Sequence, residues 1–288
     1  MDGAFGLKGG LLQGDILLNL DSETEGELYV GCAGGMDANV TLPYEAVAAP
    51  EGKALTLSVK GCKGGHSGIQ IVCQRANANK LLFRLLRMLS AEMDVKIASV
   101  DGGGLRNAIP REAVAVIMVK EADVEQVKNI VAEYEQKFVT EFAGVEDSIA
   151  VAVADAAAPE VVMGVAKNLI RAILACFDGV YTMSMSMAGL VQTSNNLARV
   201  VSDNNVIKVQ CLARSSIRSE KEALGNSIKS ALELGGFAVT LSGSYDGWAP
   251  NMQSPILKAM LASYEALYGK SPAVMAIHAG LECGIIGT

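Results

Sequence analysis

The stretch ANANKLLFRLLRMLSA, residues 76–91, decides the fold class of this chain. Its leucines recur at helical spacing and share one face, while basic residues occupy the opposite face. The leucines are Leu81, Leu82, Leu85, Leu86 and Leu89, and the basic residues are Lys80, Arg84 and Arg87. The segment therefore predicts an amphipathic helix. Alternating residues at 54–61 and the run VKIASVDGG at 95–103 predict strands on either side of it, which makes the fold class α/β.

A second round of the same kind follows along the chain. EAVAVIMVK at 112–120 predicts a strand, and apolar residues spaced by three and four predict a helix near 122–141. The further elements are predicted as a strand at 149–156, a helix that opens at Pro159 and ends near Gly179, a strand at 206–214, a helix at 220–236 and a strand at 237–245. The middle of the chain thus forms two successive β/α layers of similar plan, without a sequence repeat.

The outer parts of the chain carry elements of their own. DILLNL at 15–20 is short and apolar, which predicts a strand buried on both faces, as in a parallel sheet. SPILKAMLASYEALYG at 254–269 predicts a helix with proline near its first turn, and the apolar run that follows is strand-like. Asn195 and Asn196, in QTSNNLA, are interpreted as polar residues of a loop.

Composition and charge narrow the class of protein. The chain has 288 residues, 50% of them hydrophobic and 19% charged, as in ordinary globular proteins. A formal net charge of −7 argues against a nucleic-acid or anionic-membrane surface, and no apolar run reaches the roughly 18–20 residues that cross a bilayer. The six cysteines form no CxxC pair, which fits reduced thiols. We therefore expect a soluble, cytoplasmic protein with no nucleic-acid or membrane partner.

Asp21 and His66 are the first candidates for chemistry. Asp21 follows DILLNL, and the carboxyl end of a buried parallel strand is where open α/β sheets bind ligands. A carboxylate is an ordinary zinc ligand, although a solvated acidic loop also explains this residue. His66 stands in GGHSG, where glycines permit a loop that presents the ring at a cleft. Phosphate binding, metal ligation and hydrogen-bond donation all stay open for it.

Three more candidates lie further along the chain. Arg214 ends the strand at 206–214 and either binds a carboxylate bidentately or lies on the surface. His278 and Glu282 are four residues apart, which is a ligand spacing only in a helix, and Gly280 argues against a helix there. Neither a GxGxxG fingerprint, a Walker A sequence nor a GxSxG elbow is present.

Four segments, in order, resemble the aminoacyl-histidine dipeptidases of the M20 metallopeptidase family. They are ILLNLDSETEGELYVGCAGG, GGHSGIQIVCQRANANKLLFRLL, GGGLRNAIPREA and IHAGLECG, and the resemblance runs from residue 1 to residue 288. It implies an α/β catalytic domain with two zinc ions, other divalent metals being alternatives, and a large inserted lid. It also implies hydrolysis of Xaa-His dipeptides such as carnosine by a metal-bridged water. The catalytic domain would comprise residues 1–35 and 250–288, and the α+β lid of two β/α layers residues 36–249.

The same resemblance implies roles for individual residues. Asp21 matches a zinc ligand, and His66 matches a catalytic lid histidine that stabilises the oxyanion. Asn196 and Arg214 resemble the lid residues that hold the substrate carboxylate. His278 and Glu282 belong to the family's HAGLE signature on the substrate side, without an assigned role.

The family's other catalytic motifs do not occur in this sequence. The HxD motif, the bridging aspartate, the glutamate pair and the last metal histidine have no counterpart, so the chain resembles a fragment truncated at both ends. A lone carboxylate cannot hold two zinc ions, and we expect this chain to be inactive by itself. The alternative is a non-catalytic, lid-like module for binding or dimerisation, and a homodimer fits both interpretations.

Overall fold

The computed structural model describes residues 2–21 and 24–287. The strands are β1 Glu27–Cys32, β2 Gly34–Pro43, β3 Ala46–Ala48, β4 Lys53–Lys60, β5 Gly65–His66, β6 Lys96–Gly103, β7 Ala108–Ile109, β8 Ala113–Val119, β9 Ala150–Asp155, β10 Val161–Met163, β11 Gly179–Met183, β12 Val191–Asp203, β13 Val206–Ser215, β14 Ala238–Tyr245 and β15 Ala273–Ile277. The helices are α1 Asp2–Phe5, α2 Ala78–Glu92, α3 Val124–Glu141, α4 Ala166–Ala175, α5 Arg218–Glu233, α6 Pro255–Tyr268 and α7 Glu282–Ile286.

An antiparallel sheet of nine strands organises most of the chain. Its order is β14-β2-β13-β12-β6-β8-β4-β9, and β11 pairs with β12 outside this path. The elements β4, α2, β6, β8, α3 and β9 form one β-α-β-β-α-β unit, here called the inserted half. The elements β2, α4, β12, β13, α5 and β14 form a second unit with the same strand order, here called the outer half. Two units of similar plan are therefore present, nested in the chain and fused into one sheet.

The two halves meet at a seam between β6 and β12. The strands pair antiparallel over a short register that runs from Arg199 opposite Gly103 to Val201 opposite Asp101. Gly103 has a φ of +75°, and a Cβ at this position would lie 1.9 Å from the carbonyl oxygen of Ala198. The seam consequently requires glycine here, both for the backbone conformation and for the close approach of the two strands.

One apolar core lies between the sheet and helices α2 to α5. The five leucines of α2 are buried in it, as the sequence predicts, and each contributes about 1.5–3 kcal/mol. Lys80, predicted on the exposed basic face, is instead partly buried. Its Nζ donates hydrogen bonds of 2.7–2.9 Å to the carbonyl oxygens of Ile173, Leu174 and Cys176. A residue of the inserted half thus caps the carboxyl end of α4 in the outer half.

A second polar contact joins the halves beneath the seam. Asp178 is partly buried and accepts hydrogen bonds from the backbone N–H of Leu197 at 2.7 Å and from the side chain of Asn77 at 2.9 Å. Asn77 also caps the first turn of α2, since its side chain accepts from the backbone N–H groups of Asn79 and Lys80. The start of α2 and the centre of β12 are therefore held together by buried hydrogen bonds.

A smaller parallel pair, β1 with β15, lies outside the large sheet. Helix α6 begins with Pro255, as predicted, and Gly269, which follows its last residue, has the left-handed conformation. The large sheet begins at Gly34 and ends at Tyr245. The division into residues 1–35 with 250–288 and residues 36–249 stays a prediction. Within the described ranges, no helix is long and apolar enough to cross a membrane.

Three expectations about elements are wrong. Residues 15–20 form no strand, and Leu20 is 89% exposed, because this apolar run has no strand partner among the described residues. Asn195 and Asn196 lie in the central strand β12, where their side-chain N–H groups donate to backbone carbonyl oxygens although both residues look loop-like in sequence. The segment after Pro159 first forms β10, and α4 begins only at Ala166.

We expect Gly103→Ala to destabilise the protein by about 2–4 kcal/mol, because the new Cβ requires a strained backbone and displaces Ala198. Urea unfolding monitored by circular dichroism measures this loss. Gly104→Ala is the matched control, since a Cβ there meets nothing within 4 Å. Equal stability of the two variants would contradict the requirement for glycine at the seam.

Candidate active site

Arg214 lies at the centre of a polar cluster where β13 ends. The residue is 5% exposed, and its Nη1 donates to the hydroxyl of Tyr245 at 3.3 Å. Its Nε has no hydrogen-bond partner, and no carboxylate of the described residues forms an ion pair with it. A buried cation with unused donors is costly unless an anion completes its interactions. The environment of Arg214 is therefore that of an anion site.

His66 approaches Arg214 from the inserted half. Its Nδ1 accepts hydrogen bonds from the backbone N–H groups of Gly68 at 3.2 Å and Ile69 at 3.1 Å. A neutral imidazole whose Nδ1 accepts carries its proton on Nε2, so Nε2 is left to donate. Burial, and then the charge of Arg214, lower the pKa of His66, which favours this neutral form. His66 is thus a neutral hydrogen-bond donor beside a buried cation.

His278 reaches the same cluster from the loop after β15. Its Nε2 lies 2.7 Å from the hydroxyl oxygen of Ser194, which is the cross-strand neighbour of Arg214. A Cβ on Gly68 would lie 2.3 Å from the carbonyl oxygen of His278, so the His66 loop packs directly on this segment. Burial, and then the charge of Arg214, lower the pKa of His278 to about 3. The ring is therefore a neutral, buried contact between the C-terminal segment and the large sheet.

Asn196 lies in β12, and its side chain contacts the segment at the start of β7. Its Nδ2 donates to the carbonyl oxygens of Arg106 at 3.0 Å and Ala108 at 2.8 Å, which uses both amide hydrogens. The remaining Oδ1 is buried and only accepts. Because β7 pairs with β5, Asn196 supports the strand opposite His66. In this arrangement it acts on the site through the backbone of the inserted half.

Asp21 and Glu282 come together from the two outer parts of the chain. Both are linked through Asn19, whose Oδ1 accepts from the backbone N–H of Asp21 at 3.2 Å and whose Nδ2 donates to Glu282 at 3.5 Å. Asp21 is exposed, and Glu282 begins α7. Within the described ranges, no group of three or more His, Cys, Asp or Glu side chains is placed to hold a metal ion. Glu23, in the acidic run around Asp21, lies outside the described residues.

The sequence interpretation missed Tyr245, Asp37 and Arg106, which surround Arg214 on the face of the sheet opposite the helices. A bulge in β14 between Ser242 and Tyr245 places the Tyr245 ring on Gly35, where a Cβ would lie 2.6 Å from the ring. The signal for Asp37 was present, because polar and buried residues alternate along β2. The strand begins with Gly34 and Gly35, and two glycines in sequence suggest a turn rather than a strand.

The fold and this cluster define a class of protein. The model of the M20 peptidase dimerisation domain matches residues 57–146, which cover most of the inserted half from β4 to α3. The protein is thus built on the architecture of the M20 peptidases.

Two relatives make the assignment more specific. The chain is 41% identical, over 99% of its length, to the cytosol non-specific dipeptidase of Escherichia coli strain K12. It is 40% identical to the aminoacylhistidine dipeptidase of Vibrio alginolyticus, whose crystal structure matches 98% of the chain with a TM-score of 0.94. The chain is thus similar to these two dipeptidases over nearly its whole length, and residues 57–146 match an M20 peptidase domain, as its motifs predict. It spans 59% of the first relative and 58% of the second.

For M20 metallopeptidases, which the chain resembles, dependence on a divalent metal ion is expected. The described residues do not fit a metal centre, because no group of three or more His, Cys, Asp or Glu side chains among them is placed to hold an ion. The geometry of the described chain instead provides a buried cation, a neutral imidazole donor and a cavity beside them.

His278 should make stability depend on pH. The unfolded ring has an ordinary pKa near 6.5, whereas the folded ring has a pKa of about 3, so the unfolded state binds more protons between these values. Stability is therefore fully present above pH 6.5 and falls by about 1.4 kcal/mol per pH unit as the pH drops from there.

Urea unfolding at pH 7, 6 and 5 measures this slope. His278→Gln keeps an amide donor for Ser194 but cannot titrate, so the slope should become shallower by about one proton. The lowered pKa of His66 also makes stability fall at lower pH, but it contributes equally to the parent chain and to His278→Gln. Identical slopes for the two proteins would contradict the prediction.

Proposed function

We propose that this chain carries the substrate-recognition part of a metal-dependent dipeptidase that acts on Xaa-His dipeptides. The observation that carries the proposal is Arg214, a buried arginine with an unpaired Nε beside a neutral imidazole donor. The name of the Vibrio alginolyticus relative, an aminoacylhistidine dipeptidase, agrees with Xaa-His substrates, and the name of the Escherichia coli relative, a non-specific dipeptidase, agrees with dipeptides in general.

In this proposal Arg214 binds the C-terminal carboxylate of the dipeptide. Its free Nε and its Nη groups can form the paired hydrogen bonds that a guanidinium makes to a carboxylate. The bound anion also neutralises a charge that the cluster otherwise buries without a counter-ion. A free carboxylate is a feature of short peptides, which explains selection of a dipeptide over an internal segment of a longer chain.

His66 then donates from Nε2 to the oxygen of the scissile carbonyl. Its loop holds Nδ1 as an acceptor and so fixes which nitrogen carries the proton. Because the carbonyl oxygen gains negative charge during attack, a donor fixed at this point stabilises the transition state more than the substrate. Asn196 supports β7, which pairs with the strand of His66, and His278 contacts Ser194 beside Arg214.

For the metal we propose zinc, with Asp21 as one ligand and Glu282 nearby on the substrate side. The ligand set of the described residues does not complete such a centre, so hydrolysis is not expected from this chain by itself. Following cleavage of Gly-His with added Zn²⁺ checks that expectation, and turnover would contradict it.

Arg214→Met tests the carboxylate site. We expect binding of Gly-His to weaken about 100-fold, since two charge-assisted hydrogen bonds are lost. The melting temperature should stay equal or rise, because a buried charge without a counter-ion is replaced by an apolar chain of similar length. Calorimetry and thermal unfolding measure the two quantities.

Lys208→Met is the matched control for this variant, since it removes a cation from the same strand at an exposed position paired with Asp203. It should leave Gly-His binding unchanged. Equal affinity of Arg214→Met and the parent chain would overturn the proposed role of Arg214.

The second candidate function is a non-catalytic module for binding or dimerisation. The match of residues 57–146 to a peptidase dimerisation domain favours it. A homodimer is proposed under both functions, and sedimentation equilibrium tests it. A dimer that binds no dipeptide supports the module, whereas dipeptide binding that depends on Arg214 supports the dipeptidase. We also propose a cytoplasmic location, which the name of the Escherichia coli relative supports.

A further inference from the structure

A cavity of about 580 Å³ lies on the face of the outer half that the helices leave uncovered. Its walls come from α1, from β2, from the segment before β7 and from the bulged end of β14. Tyr245 is shared between this cavity and the anion site, since it lines the cavity and its hydroxyl accepts from Arg214. The cavity therefore adjoins the place where a substrate carboxylate would bind.

Asp37 gives the cavity a specific chemistry. Its side chain is 30% exposed, and its nearest cation is Arg106, with Nε at 3.5 Å from Oδ2. Among the described residues, no donor forms a hydrogen bond to its carboxylate. Burial raises the pKa of Asp37, and the charges of Arg106 and Arg214 offset part of this rise. The oxygens of Asp37 thus keep free acceptor capacity at the wall of the cavity.

The other walls limit what can meet Asp37. Arg106 directs its Nη2 to the Oδ1 of Asn39 at 2.6 Å and its Nη1 to the carbonyl oxygen of Cys211 at 3.3 Å, so these groups are used within the sheet. The charge of Arg106 remains beside the cavity and opposes a cationic side chain. The rings of Phe5 and Tyr245, packed edge to face at 5.9 Å, form an aromatic wall that suits a flat ring.

We propose that this cavity receives the side chain of the substrate's C-terminal residue, and that Asp37 selects histidine there by accepting a hydrogen bond from the imidazole N–H. The inference rests on the proposed function, in which Arg214 holds the carboxylate of the same residue. An imidazole is a neutral ring with one donor, which matches an aromatic wall, a free carboxylate and a neighbouring cation. An aliphatic side chain leaves Asp37 without a donor, and an acidic side chain meets a like charge.

Calorimetric titration of the chain at pH 7.5 with Gly-His, Gly-Ala and Gly-Lys tests the proposal. Gly-His should bind about 10-fold more tightly than Gly-Ala, because a hydrogen bond to a charged group contributes about this much. The affinity for Gly-Lys should be no higher than the affinity for Gly-Ala. Asp37→Leu should remove the preference for Gly-His and leave Gly-Ala binding nearly unchanged. Asp101→Asn, an exposed carboxylate at the seam paired with Arg199, is the control and should keep the preference.

A change in the ligand tests the same contact without any change in the protein. Glycyl-methylhistidine, methylated on either ring nitrogen, has no N–H in its neutral form, so its affinity should fall about 10-fold below that of Gly-His. This measurement uses the parent chain, so it remains valid if the Asp37→Leu variant does not fold. Thermal unfolding shows whether that variant is folded.

The outcomes separate the two proposals. Equal affinity for Gly-His, Gly-Ala and the methylated ligand, all lost in Arg214→Met, overturns the role of Asp37 and leaves the dipeptide site in place. Dipeptide binding that is absent, or unaffected by Arg214→Met, overturns the proposed function and the inference with it.

Discussion

The short pairing of β6 with β12 is the constraint on which the rest of the molecule depends. It fuses two β-α-β-β-α-β units into one sheet, and Lys80 and Asp178 satisfy buried polar groups beneath it. Because of this fusion, a histidine from the inserted half and an arginine from the outer half lie close enough for one charge to act on the other ring. Neither half contains the candidate site by itself.

Arg214 shows how such a site differs from a stable core. The surrounding strands bury it almost completely without supplying a carboxylate in contact. Burial, together with the charge of Arg214, lowers the pKa of both nearby imidazoles and favours their neutral forms. The Nε of Arg214, which has no partner in the protein, can therefore form its hydrogen bond with a bound ligand. A residue arranged in this way lowers stability in the absence of ligand and contributes binding energy in its presence.

The sequence predicted the elements whose residues follow a simple period, such as the leucine face of α2 and the alternation of β4 and β13. It failed at β12, because a strand whose polar side chains are paired inside the protein has the composition of a loop. It also failed at residues 15–20, where an apolar run lacks the neighbouring strand that its pattern implied. The family motifs indicated His66 and Arg214 as candidates, and their roles stay predictions. The contacts of Asn196, Tyr245 and Asp37 depend on strand pairings between distant segments that no local pattern contains.

The nesting of one half inside the other has a consequence for synthesis of the protein. Val40 of β2 pairs with Val209 of β13, so roughly 170 residues must be made before β2 gains that neighbour. At the usual pace of translation this takes about 10–35 s. The whole inserted half is synthesised within that interval. During the same interval the backbone groups of β2 are not yet paired with β13. The order of the chain thus makes the inserted half the template on which the outer half assembles.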